Sequence, residues 1–236
     1  MFGHRISVGR RSREEAEKPF WISFADLMTA LMVLFLLVMS VALLAVTRKA
    51  TEREQQEAKR DKDIAELVRR IEQVVEAEDG LNFRSPNVID FGQQARFDTA
   101  SYTLQPAQEQ YLRSFVPKVL NVARDDIGQR WLKRIVVEGF TDRRGTYLYN
   151  LNLSLQRSQR VLCALMAPPI SGEKPMTRQD LEDIRRLFLV GGYSSNSAKG
   201  SLEASRRIEL RLEFYGVSEK ILEAPEFAGE AGACRL

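Results

Sequence analysis

The feature that most constrains this chain is the run LMTALMVLFLLVMSVALLAV, Leu27–Val46, in which Thr29 and Ser40 are the polar interruptions and no residue is charged. As a helix rising about 1.5 Å per residue it is roughly 30 Å long, the thickness of a bilayer's hydrocarbon core. A core helix of a small soluble domain is usually shorter and carries a polar face. A secretory signal has a shorter apolar stretch followed by a small-residue cleavage site. The run therefore predicts one transmembrane helix. Pro19 suits a first helical turn, and Phe20 and Trp21 suit an interfacial aromatic belt, so the span is expected over 19–47 with its start near Pro19.

Asp26 then lies about two turns inside the helix. An ionised carboxylate at mid-membrane costs roughly 2.5–3.5 kcal/mol on insertion scales, and less near an interface. It could be an interfacial acid facing headgroups. Against that, Ser23, Asp26, Thr29 and Ala30 fall at helical spacing and form one small, polar stripe on an otherwise apolar helix. Small-residue stripes are where membrane helices pack, so an acid within one faces protein or water, the setting of an ion relay. The basic residues on the two flanks are nearly balanced and leave the orientation open.

The rest of the chain is water-compatible. Lys+Arg 35 against Asp+Glu 32 gives a net charge of +3, too small to argue for direct nucleic-acid binding. One His and two Cys exclude the usual metal ligand sets, and with His4 as the one histidine no Ser/His/Asp catalytic set can be assembled; no enzymatic activity is expected. Residues 48–80 read as a charged helical linker. Ile64, Leu67, Val68, Ile71, Val74 and Val75 form an apolar seam that could pair helices or pack on the following domain. Asp79 and Gly80 end it. Beyond, strands are expected over 87–91, 134–140, 186–192 and 206–216, and helices over 106–124 and 149–166. An insertion of 168–185 contains a short helix after Thr177, and 217–236 is a tail. Alternating elements with a final strand pair predict an α+β fold: helices on one face of a mixed sheet, over 81–216.

Two stretches match known families. The block EGFTDRRGTYLYNLNLSLQRSQRV (138–161) resembles the peptidoglycan-binding motif of OmpA-like domains, with Asp142, Gly145, Asn150, Leu153, Ser154 and Arg157 at the family spacing and Arg206 and Arg207 opening a similar closing strand. Phe140 stands where the family usually has His. The resemblance implies a diaminopimelate stem as ligand, its ammonium on Asp142 and its carboxylate on Arg157. A zwitterionic end does need one carboxylate and one planar donor on opposite sides of a pocket. Without the motif, an Asp–Arg salt bridge would be the simpler reading.

The second stretch, PFWISFADLMTALMVLFLLVMS (19–40), resembles the membrane helix of MotB-type stator subunits, with Phe24 in place of a Tyr and Asp26 at the ion-carrying position. The resemblance implies a cytoplasmic tail (1–18), an inner-membrane helix and a periplasmic OmpA-like domain. It implies a dimer inside a MotA-like ring, anchored to peptidoglycan, with no cofactor and a transported ion, a proton rather than sodium. The short linker and the insertion look more like the MotB-like subunits of Zorya anti-phage systems, acting indirectly on cytoplasmic defence effectors, than like flagellar stators. A passive envelope tether remains the alternative of another class. In an oxidising periplasm, Cys163 and Cys234 could close an intramolecular disulfide, or Cys234 could bridge two chains.

Overall fold

The computed structural model describes residues 14–169 and 172–219 together with Gly232 and Cys234. Most of the expected 1–18 and 217–236 tails thus lies outside the described residues. The first element, α1, is one helix, Glu14–Glu76. It starts a turn before the expected position near Pro19. The helix formers Glu14–Lys18 carry it there, and Pro19 inside the helix forfeits a single backbone hydrogen bond. Membrane span and linker are therefore one uninterrupted element, with no Gly, and no Pro after Pro19, to break it before the Asp79–Gly80 turn.

The chain divides into two units, residues 1–56 and 57–236. In the first, every side chain from Trp21 to Val46 is exposed, and the helix is long and apolar enough to cross a membrane, with a mean hydropathy of 2.8 over its most apolar window. Two of its hydroxyls are turned back onto the helix. Thr29 Oγ1 donates to the Asp26 carbonyl at 2.8 Å and Ser40 Oγ to the Leu36 carbonyl at 2.7 Å, which satisfies them without a partner outside the helix.

In the second unit the end of α1 contributes to the core. Leu67, Ile71 and Val75 are buried, with Val74 packed alongside, so the apolar seam packs on the domain. The compact unit accordingly begins at Glu57 rather than at residue 81. Its other elements are β1 (Asn82–Arg84), β2 (Val88–Asp90), α2 (Pro106–Ala123), α3 (Asp126–Trp131), β3 (Leu132–Gly139), α4 (Tyr147–Met166), α5 (Arg178–Leu187), β4 (Phe188–Gly192), α6 (Leu202–Ser205) and β5 (Ile208–Phe214). The sheet order is β1-β2-β5-β3-β4, antiparallel throughout except for the β3–β4 pair. This is the expected α+β architecture with a mixed sheet.

Alternation places Ile135 and Val137 of β3 with Ile208, Leu210 and Leu212 of β5 on the core face. The parallel β3–β4 pair needs a crossover, which α4 and the insertion supply. Within that insertion α5 opens with a reciprocal cap between Thr177 and Asp180 and runs on to Leu187. It displaces the expected strand start from 186 to Phe188, because Asp180, Asp183, Ile184 and Leu187 form one buried helical face. Arg124 fixes it, donating to Asp180 at 2.6 Å and Asp183 at 2.7 Å. Gly139 lets α4 cross β3 closely: a Cβ there would meet the Ser154 carbonyl oxygen at 2.0 Å.

Candidate ligand cavity and membrane acid

The loop from β3 to α4 builds the cavity. Gly145, at φ +96°, turns the chain in a conformation that a side chain strains. Thr146 then caps α4 by accepting the Tyr149 N–H. Asn150 is buried one turn into the helix and donates to the Arg144 carbonyl at 2.9 Å, tying helix to loop. The result is a cavity of about 180 Å³ whose wall includes Thr141, Asp142, Arg144, Asn150 and Arg157, closed on its far side by Thr99 and Ala100.

Asp142 and Arg157 share this cavity but do not bridge each other. Asp142 Oδ2 accepts from Arg144 Nη2 at 2.8 Å and from Arg206 Nη1 at 3.3 Å, while Oδ1 accepts the Arg144 backbone N–H at 3.0 Å. The Arg144 side chain above all, then its backbone N–H and Arg206, hold the Asp142 carboxyl at about 2 against the opposing effect of burial. Arg157, fully buried, donates to three backbone carbonyls: Ser101 at 2.9 Å, Phe140 at 2.7 Å and Asp98 at 3.0 Å. Its guanidinium also lies 5.0 Å from the Phe97 ring centre. Burial, with the Arg206 charge nearby, pulls it down to about 10, so it stays cationic at neutral pH. Three of its five N–H groups are thus engaged in holding the 98–101 segment to the end of β3, a structural duty that the motif did not announce.

The expected pair Arg206 and Arg207 separates. Arg206 reaches Asp142 from behind the cavity wall and also donates to the Phe97 carbonyl at 2.9 Å. Arg207 does not reach Asp142. It lies 4.2 Å from the Phe140 ring centre, pairs with Glu209 and donates to the Ser197 carbonyl at 3.3 Å, lining a separate cavity with Tyr193. Successive residues entering a strand face opposite sides, so one of the two had to leave the site. Sequence reasoning missed Arg144, Thr99 and Thr141. The Thr141 hydroxyl is buried with no hydrogen-bond partner at the cavity wall. Thr99 is too remote in sequence to be read with the motif, and Arg144 stands at a position that the motif leaves unspecified between Asp142 and Gly145.

In the first unit Ser23, Asp26, Thr29 and Ala30 are all exposed on α1. The Thr29 hydroxyl is turned to the Asp26 carbonyl rather than to its carboxylate. In the second, Cys163 and Cys234 are joined as a disulfide with Cα atoms 5.8 Å apart.

A family model described as the OmpA family matches residues 96–201, and one described as membrane MotB of the proton-channel complex MotA/MotB matches residues 8–56. The Zorya protein ZorB of Escherichia coli O139:H28 is 45% identical over 235 residues, covering 96% of this chain and 93% of that protein. Among solved structures, a periplasmic domain of Helicobacter pylori MotB is 16% identical with a TM-score of 0.43, covering 61% of this chain and 86% of that one. The peptidoglycan-associated lipoprotein of Burkholderia pseudomallei is 19% identical with a TM-score of 0.33, covering 56% and 92%.

Proposed function

The chain belongs to the ZorB family of MotB-like, OmpA-domain proteins, and on that premise we propose that it is the peptidoglycan-anchored B-subunit of an ion-driven inner-membrane motor acting in anti-phage defence. The observation that carries this reading is the pairing in one chain of an apolar helical stretch, 20–46, whose single acid is Asp26, with a cavity bearing Asp142 and Arg157. The helix lies in the inner membrane, with the N-terminus cytoplasmic and the second unit periplasmic. The Cys163–Cys234 disulfide supports an oxidising compartment for that unit.

Two copies present two Asp26 side chains to a MotA-like (ZorA-type) ring. Protonation removes the carboxylate charge and release restores it, so each step changes which ring contact is favourable. A proton fits this cycle better than sodium because the neutral acid crosses an apolar contact at lower cost than an ion pair. The motor's reaction force is held by the wall: Asp142 meets the ammonium of a diaminopimelate stem, and Arg157 meets its carboxylate with the two N–H groups left by the backbone. The subunit itself catalyses no covalent chemistry.

Asp26→Asn tests the reading, since it keeps size and polarity and abolishes titration. The expected outcome is loss of phage protection at unchanged abundance and membrane insertion. Full protection in that variant refutes the relay and leaves a passive tether.

A further inference from the structure

Arg144 reaches across the cavity. Its Nη2 donates to Asp142 Oδ2 at 2.8 Å on one wall and to Thr99 Oγ1 at 3.1 Å on the other. Its side chain is 52% exposed while the carboxylate beneath is 8% exposed, so the guanidinium rather than the carboxylate faces solvent. On the buried side Arg206 Nη1 holds the same Oδ2 at 3.3 Å. A cation arriving from solution can pair with Asp142 only by taking the place of the Arg144 guanidinium.

We propose that Arg144 is a displaceable internal cation that occupies the ammonium position of the cavity in the free protein, so that every incoming ammonium must displace it and only a ligand with further contacts gains net affinity. The proposal rests on the peptidoglycan reading above. The strap is one half-exposed ion pair and one hydroxyl contact, a holding strength worth about two- to fivefold in an equilibrium. A plain amine that displaces it exchanges one exposed ion pair for another and gains nothing. A ligand with a carboxylate beside its ammonium adds contacts the strap does not make, to the uncommitted N–H groups of Arg157 and the unpartnered Thr141 hydroxyl.

The test is calorimetric titration of the full chain in detergent with a diaminopimelate-containing muropeptide and with 1,5-diaminopentane, which carries amines and no carboxylate. Wild type should bind the muropeptide, and the diamine far more weakly because it lacks the carboxylate contacts. Arg144→Gln should bind both the muropeptide and the diamine about two- to fivefold more tightly, leaving their ratio unchanged. Thr99→Val, which removes the far anchor, should shift affinity the same way by less. Arg143→Gln deletes the same charge from the exposed neighbour and should not reproduce the gain. Unchanged or weaker muropeptide binding in Arg144→Gln, or an equal gain in Arg143→Gln, overturns the proposal. If wild type itself ignores the muropeptide, the peptidoglycan reading fails instead. The strap is then judged by carbon-13 titration of Asp142, whose carboxyl should rise from about 2 towards its ordinary value in Arg144→Gln. An Asp142 value that does not move also overturns the strap.

Discussion

Arg157→Lys separates what the motif arginine does for binding from what it does for folding. The native guanidinium forks to carbonyls of Ser101, Phe140 and Asp98, at 2.9, 2.7 and 3.0 Å, from a fully buried position. A lysine keeps the charge but ends in one compact ammonium that cannot reach three divergent acceptors. At least one buried carbonyl loses its partner, at about 1–3 kcal/mol, and the remaining bonds to a charged donor are weakened. The sum is about 3–5 kcal/mol, which for a domain of this size lowers Tm by about 10 °C. The assay is thermal unfolding, followed by circular dichroism, of the unit beginning at Glu57, with Asp142→Asn alongside. Asp142→Asn should lose retention on purified peptidoglycan and lower Tm by less than Arg157→Lys, because its partners Arg144 and Arg206 keep other acceptors in Thr99 and the Phe97 carbonyl. If Arg157→Lys melts within about a degree of wild type, the carbonyl fork does not hold the 98–101 segment.

A domain cut at Leu81 loses Leu67, Ile71 and Val75 from the core, each worth about 1.5–3 kcal/mol when buried, a total comparable to the whole stability of a small domain. It should therefore give poor amide dispersion by NMR where the unit from Glu57 gives a folded spectrum, and equal Tm values for the two would contradict the assignment. The acid limb of stability should carry an Asp142 component. Its folded carboxyl is lowered to about 2 from an ordinary 3.8, so this contribution is complete above about pH 4 and is lost as pH falls towards 2. Asp142→Asn should flatten urea-denaturation midpoints in that window, and an unchanged slope counts against the pairing. Non-reducing peptide mapping should recover a Cys163–Cys234 cross-link. With 71 residues of separation, reduction should destabilise the domain by about 4 kcal/mol in the chain-entropy picture, and free thiols at both positions refute the bridge.

What was legible in the sequence is what local periodicity and local chemistry encode. A charge-free run of bilayer length encodes a membrane-spanning helix, and Asp26, which stands immediately before that run, is exceptional because of its apolar and small neighbours. The order of the longer strands and helices, and so the α+β class, followed from alternation and helical spacing; the errors lie at element ends such as Glu14 and Leu187 and in the short elements β1, α3 and α6, which were not expected. Tertiary structure decided which of several locally equivalent choices was made. Leu67 and Ile71 could have faced a second helix or the sheet, and the domain core took them. Arg157 reads as a free binding group, yet two of its carbonyl partners lie 56 and 59 residues away and occupy much of its guanidinium. Arg206 and Arg207 are adjacent and chemically identical, and the pleat sent one to Asp142 and the other to Phe140. Asp142 looks unpaired in the motif until the fold brings Arg206 against it from 64 residues away and Thr99 holds Arg144 across it. Those outcomes depend on distances between segments remote in the chain, and no local pattern carries such distances.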